Sequence, residues 1–195
     1  MTNLNALIAS RICHDLINPL GAIGNGIELI EMAGAAAGPE MELVTGSVEN
    51  ATSKLKFLRL AFGAASADQV VGHREITSIL AQVTQGSRLN YIWNVQGDAP
   101  RLEVRVALLA AMCVETALPL GGDIDIGHDA QGWSVQARHD RLNLDPALWV
   151  PLSKGSCPPE LSAAQVHFGL LPDMAAAAAR QLSMTHGADW VIISF

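Results

Sequence analysis

Residues 4 to 67 keep a helical rhythm almost unbroken, and this run limits the fold more than any other feature. At about 100° per residue, Leu4, Ile8, Ile12, Leu16, Leu20, Ile23, Ile27 and Ile30 share one broad stripe. The segment GAAAGPE (34–40), with two glycines and Pro39, interrupts it as a turn. A second stripe follows: Met41, Val44, Val48, Ala51, Leu55, Leu58 and Phe62. Two long helices about a short loop make an antiparallel hairpin. Two helices cannot enclose stripes this wide, and Phe57 and Leu60 are apolar but off the second one. The economical solution is a four-helix bundle completed by a second copy of the chain, a homodimer. Packing against the rest of the same chain is the competing solution.

After SADQVVGH (66–73) the pattern changes. The sequence predicts a helix near 74–86, a strand at 91–96 with Tyr91, Trp93 and Val95 alternating, and an apolar helix over 101–118. Residues 121–139 read as a two-stranded hairpin, and 140–160, with four prolines, as an irregular link holding at most one short helix. A helix over 162–185, interrupted near Pro172, and a strand over 188–195 complete the order. The expected fold class is α+β: residues 1–68 a helical hairpin, residues 69–195 a small α/β sandwich with helices on one sheet face.

Composition removes several classes of function. The chain of 195 residues carries 12 basic against 19 acidic side chains, a net charge of −7. That balance argues against a nucleic-acid partner, since phosphate binding needs a basic surface. Cys13, Cys113 and Cys157 are odd in number and share no metal spacing, so neither a secreted disulfide framework nor a metal site is expected. The N-terminus has no secretory pattern, and no run reaches the roughly 18 apolar residues of a membrane span. The expected compartment is the cytoplasm.

The chemistry concentrates in His14-Asp15-Leu16-Ile17-Asn18-Pro19-Leu20. His14 falls about 200° from Ile12 on the helical wheel, opposite the apolar stripe. Ser10, Asn18, Gly21, Asn25 and Glu28 share that outer face. An exposed imidazole, with an ordinary pKa of about 6.5, is a nucleophile at neutral pH. The Asp15 carboxylate next to it can hold one ring nitrogen and fix the tautomer, leaving the other nitrogen to attack phosphorus. Asn18, one turn on, offers an amide to a phosphoryl oxygen or a water, and Gly21 leaves room for another protein to approach. A lone His-Asp pair reads more readily as an ordinary surface histidine.

The whole string decides between these. His-Asp-x-x-Asn-Pro-Leu in the first helix of a hairpin resembles the H-box of the dimerisation and phosphotransfer domain of sensor histidine kinases. Arg11-Ile12-Cys13-His14-Asp15-Leu16, continued as Gly21-Ala22-Ile23 and Asn25-Gly26-Ile27-Glu28-Leu29, resembles more closely the alphaproteobacterial histidine phosphotransferases. That resemblance spans the chain in layout, with a kinase-like ATP-binding fold in the second part. It implies that His14 is the phosphoacceptor, through Nε2, with Asp15 its orienting acid. Asn18 takes a place linked in kinases to dephosphorylation, and Arg11 is placed to meet the acidic pocket of an incoming receiver domain.

The kinase nucleotide motifs are reduced. The Asn-Ala pair becomes Thr116-Ala117, the Asp-x-Gly-x-Gly string becomes Arg138-His139-Asp140-Arg141-Leu142, and the glycine loop before the last helix shrinks to Gly169. No bound cofactor is expected, and Mg²⁺ belongs to the partner's acidic pocket. The resemblance implies a phosphorelay: a receiver domain of a CckA-like hybrid kinase as donor and CtrA- and CpdR-like response regulators as acceptors, in control of the cell cycle. The rival readings are an ATP-dependent histidine kinase fragment and a non-catalytic dimeric scaffold. His128 and His139 lack a third metal ligand, and His186-Gly187 reads as a helix stop. The tryptophans Trp93, Trp133, Trp149 and Trp190 read as mostly strand-borne core.

Overall fold

The computed structural model describes residues 4–33 and 38–195. Helices α1 (Leu4–Ala33) and α2 (Pro39–Phe62) form the hairpin that the two stripes require. Pro39 opens α2 in its first turn, where its missing N–H costs nothing. The turn expected over 34–40 lies for the most part outside the described residues.

Beyond the hairpin come β1 (Val70–Val71), α3 (His73–Val83), β2 (Leu89–Trp93), β3 (Ala99–Pro100), α4 (Arg101–Thr116), β4 (Gly122–Asp129) and β5 (Gly132–Arg138). They are followed by α5 (Pro146–Ser153), a 3₁₀ turn (Ala163–Gln165), α6 (Val166–Ala177), β6 (Ser183–His186) and β7 (Trp190–Ser194). The described strands form a five-stranded sheet in the order β2-β4-β5-β7-β6, with β2 parallel to β4 and the other pairs antiparallel, plus a small β1–β3 ladder. Alternation on β5 buries Trp133, Val135 and Ala137 on one face. Helix α4 lies over that face, and the segment Val106–Val114 is buried on every side, because α2 and α6 cover what the sheet does not. This is the α+β class expected. Among the described residues no helix is long and apolar enough to cross a membrane.

Three expectations need correction. Phe57 and Leu60 need no second chain: they are buried within the same chain's core, at the foot of α2. Full burial of such side chains stabilises by about 1.5–3 kcal/mol each. Pro172 does not interrupt its helix, which instead ends at Ala177. The alanine run favours further helix, yet Ala179 turns to φ 55 and Ser183–His186 is a strand paired with β7. His186 therefore belongs to a sheet edge and marks no helix stop. Trp149 lies on α5, buried against Phe168, while Trp93, Trp133 and Trp190 are on strands.

The hairpin is fastened at its foot. The last carbonyls of a helix lack intrahelical donors and carry partial negative charge. Arg105 of α4 supplies such donors, Nε and Nη2 to the oxygens of Ala61 and Phe62 at 3.3 Å each, and Arg101 Nη2 adds a second donor at 2.9 Å to the Arg59 oxygen, which also accepts from the Gly63 N–H. Two cations thus tie α2 to the second half of the chain. Elsewhere along the hairpin, Leu20, Ile27, Leu29, Met32, Met41, Leu43, Val48 and Leu55 remain exposed, Leu20 by 59%.

Candidate functional site

His14 lies on the part of α1 nearest the second half of the chain, and its side chain is 78% exposed. The wheel thus places it correctly. Nδ1 stands 3.2 Å from Asp15 Oδ1. With its proton on Nδ1 the ring donates to that oxygen, and Nε2 carries a free lone pair toward solvent. Asp15 is more enclosed, and its second oxygen, Oδ2, accepts from Arg11 Nε at 2.7 Å.

Arg11 makes a contact within the chain that the sequence does not announce. Its side chain folds back along the molecule instead of outward: Nη1 donates to the Ala164 carbonyl of the 3₁₀ turn at 3.1 Å. Two of its three guanidinium nitrogens are thus engaged within the chain, and the side chain is 23% exposed. The physical reason is spacing, since Arg11 and Asp15 stand four residues apart on one face and the 3₁₀ turn packs beside that face.

Asn18, Gly21, Asn25 and Glu28 are all exposed, in line along α1 beyond His14. A Cβ on Gly21 would meet nothing within 4 Å, so this face is open. The side chain of Ser10 lies outside the described residues. Asn18 borders a shallow surface groove with Pro19, Leu43 and Lys54.

Behind Asp15, between the hairpin and the second half, is a cavity of about 220 Å³ that the sequence does not announce. Arg11, Asp15, Lys54, Phe57, Tyr91 and Glu115 are among its walls. Tyr91 Oη donates to Glu115 Oε2 at 2.6 Å, and its ring stacks on Phe57 with centroids 5.9 Å apart. Burial, followed by the Glu115 charge, holds the Tyr91 hydroxyl well above its ordinary pKa, so it stays protonated and donating. Nothing local in the sequence joins positions 15, 54, 91 and 115; the parallel register of β2 on β4 and the packing of α2 on α4 do so.

His167, at the start of α6, is also absent from any motif. It is 2% exposed, and neither ring nitrogen meets a hydrogen-bond partner among the described residues. Burial, followed by the Arg11 charge, lowers its pKa to about 3. The ring is therefore neutral at physiological pH.

The positions where kinase motifs are reduced are occupied by ordinary structure. Thr116 Oγ1 donates to its own helix, at the Cys113 oxygen, 2.7 Å away. His139 Nδ1 accepts from the Arg141 N–H at 2.9 Å, closing a tight turn after β5. Gly169, expected before the last helix, is buried inside α6. A Cβ there would stand 2.7 Å from Leu161 Cδ1 and 2.9 Å from Leu4 Cδ2, so its lack of a side chain lets α1 approach α6.

Comparison with known proteins places the chain among phosphotransferases. The family model for the histidine phosphotransferase C-terminal domain matches residues 73–189. Protein phosphotransferase ChpT of Brucella abortus (strain 2308) is 30% identical over 200 residues, covering 98% of this chain and 94% of that protein. A solved bacterial phosphotransferase, 27% identical, superposes over 100% of this chain and 97% of its own with a TM-score of 0.79.

Proposed function

We propose, for a chain that belongs to the histidine phosphotransferase family, that His14 is the phosphoacceptor of a phosphorelay between receiver domains. The observation that carries this reading is the exposed imidazole whose Nδ1 is occupied by Asp15 while Nε2 is open.

On this reading the donor is the aspartyl phosphate of a receiver domain, of the CckA-like hybrid-kinase kind. Nε2 attacks phosphorus, the N–P bond forms, and the P–O bond to the receiver aspartate breaks, releasing its carboxylate. The ring, still protonated on Nδ1, becomes cationic, and Asp15 Oδ1 stabilises that charge. The reverse sequence delivers the phosphoryl group to the aspartate of a CtrA- or CpdR-like regulator. Mg²⁺ is the receiver's contribution. This chain supplies position: a nucleophile on a rigid helix, aligned before the partner arrives.

The proposal includes no ATP step, because Thr116, the His139–Arg141 turn and Gly169 leave neither an amide ligand nor a glycine loop where a kinase keeps them. It also includes a homodimer, since the exposed Leu20 and Ile27 of α1 and Val48 and Leu55 of α2, each pair on one helix face, suit a four-helix bundle.

The test is incubation of the full chain with a receiver domain radiolabelled on phosphorus. Acid-labile, base-stable label on the chain, lost in His14→Ala, is the expected result. Label that persists in His14→Ala would overturn the assignment, and label gained from ATP alone would establish a kinase instead.

A further inference from the structure

His14 and Asp15 are consecutive in sequence, and consecutive residues on a helix do not face each other. Their side chains diverge by about 100°, so the hydrogen bond between them needs something to hold the carboxylate in place. Arg11 does this. Its Nε occupies Asp15 Oδ2 at 2.7 Å, and the remaining oxygen, Oδ1, is the one 3.2 Å from the imidazole. The pair is not explained by helix stability: a cation placed N-terminal to its acid is the weaker order, and such pairs contribute only a few tenths of a kcal/mol. What fixes Arg11 is outside α1. Its Nη1 bonds to the carbonyl of Ala164 at 3.1 Å, in a 3₁₀ turn that is itself braced by reciprocal capping. In that capping box Ser162 N donates to Gln165 Oε1 at 3.1 Å.

From this chain of contacts we infer that Arg11 is a positioning residue for transfer at His14, and that the 3₁₀ turn of the second half sets its position. The inference rests on His14 as phosphoacceptor. It assigns Arg11 a role inside the chain, since Nε and Nη1 are engaged there before any partner binds. It also gives the second half of the chain a task in the chemistry: through Ala164 and Arg11 it selects the Asp15 oxygen that keeps the His14 proton on Nδ1. Groups on other elements also face this assembly. Lys54 of α2, Tyr91 of β2 and Glu115 of α4 line the cavity with Arg11 and Asp15, and His167 of α6 feels the Arg11 charge. Comparisons at one fixed pH keep their charges constant between variants.

The experiment uses the full chain labelled with ¹⁵N in histidine, at pH 8.5, well above the ordinary imidazole range of about 6.5. The His14 ring nitrogens report the tautomer in Arg11→Gln, Arg11→Lys and Ser162→Ala. The unsubstituted chain is expected to hold Nδ1–H. Arg11→Gln and Arg11→Lys are expected to shift it toward Nε2–H, because neither side chain offers the rigid fork of separated donors that spans Asp15 and Ala164. Ser162→Ala, remote from the ring, is expected to shift it less and in the same direction. In single-turnover transfer from a phosphorylated receiver domain, Arg11→Gln should lower the rate at saturation about tenfold. The half-saturating receiver concentration should not change. An unaltered tautomer in Arg11→Gln, or a raised half-saturating concentration with the saturated rate intact, overturns the inference. Absence of transfer by the unsubstituted chain overturns the phosphorelay reading, while the tautomer measurement, which needs no receiver, still decides the positioning role.

Discussion

Oδ1 of Asp15 meets Nδ1 of His14 at 3.2 Å, on the edge of the ring opposite the nitrogen that faces solvent. The division of labour within one imidazole follows: one nitrogen is held, the other is free. Asp15→Asn keeps the shape of the acid but removes the charge that stabilises a cationic ring. It is expected to slow transfer from a phosphorylated receiver by about 10²-fold and to leave receiver binding intact. Rapid-quench transfer kinetics check this, and an undiminished rate would show that Asp15 plays no part in the chemistry.

The proposed dimer predicts a dependence on the exposed end of the hairpin. Leu20 and Ile27, two turns apart on one face of α1, are exposed among the described residues, and exposed apolar patches of this kind mark association surfaces. Light scattering at micromolar concentration should give the mass of two chains. Ile27→Lys, far from the fastened foot of α2, should give the mass of one with the circular dichroism of a folded helix. A single-chain mass for the unsubstituted protein would refute the dimer.

Ala179 ends α6 in the left-handed region, at φ 55. The surrounding bonds are those of a Schellman motif: Ala179 N–H to the Ala176 oxygen at 3.0 Å and Arg180 N–H to the Ala175 oxygen at 2.9 Å. A side chain at that φ costs about 1–2 kcal/mol, which glycine does not incur. Ala179→Gly should therefore raise the free energy of unfolding by about 1 kcal/mol, read as a higher urea midpoint at unchanged slope. The motif also aims Arg180 at Glu103, whose other oxygen accepts from Trp133 Nε1 at 2.7 Å.

His167 links stability to pH. Folded, it resists protonation down to about pH 3; unfolded, it takes its proton near 6.5. Above 6.5 the ring is neutral in both states and contributes no slope. Between 6.5 and about 3 the unfolded chain binds more protons, so stability falls as pH drops, by at most about 1.4 kcal/mol per unit. His167→Phe removes the titrating ring and two nitrogens that have no hydrogen-bond partner among the described residues. Urea midpoints at pH 5 and 7.5 should differ less in this variant than in the parent, and an equal difference would contradict the burial argument.

Much of the site was legible because it is local. The exposure of His14, Asn18, Gly21, Asn25 and Glu28 follows from the helical period alone, and α1 presents them as the wheel requires. Asp15 as the neighbour of the imidazole follows from adjacency. The contacts of Arg11 were not legible, because its angle on the wheel gives the direction of its Cβ and says nothing about a carbonyl 153 residues away. Tyr91, Glu115 and His167 carried no signal, for each acquires its role by packing against elements distant in sequence.

By itself, the sequence determined the two helices of the hairpin, the α4 core helix and the β4–β5 hairpin, because period and turn residues act over a few positions. It also determined the solvent-facing histidine. Only the tertiary structure decided that Phe57 and Leu60 face their own chain, that the alanine run stops at Ala177 so that Ser183–His186 can pair with β7, and that Arg11 turns inward. In each case a local preference worth a few tenths of a kcal/mol per residue yields to burial of about 1.5–3 kcal/mol per side chain or to backbone groups that must find partners.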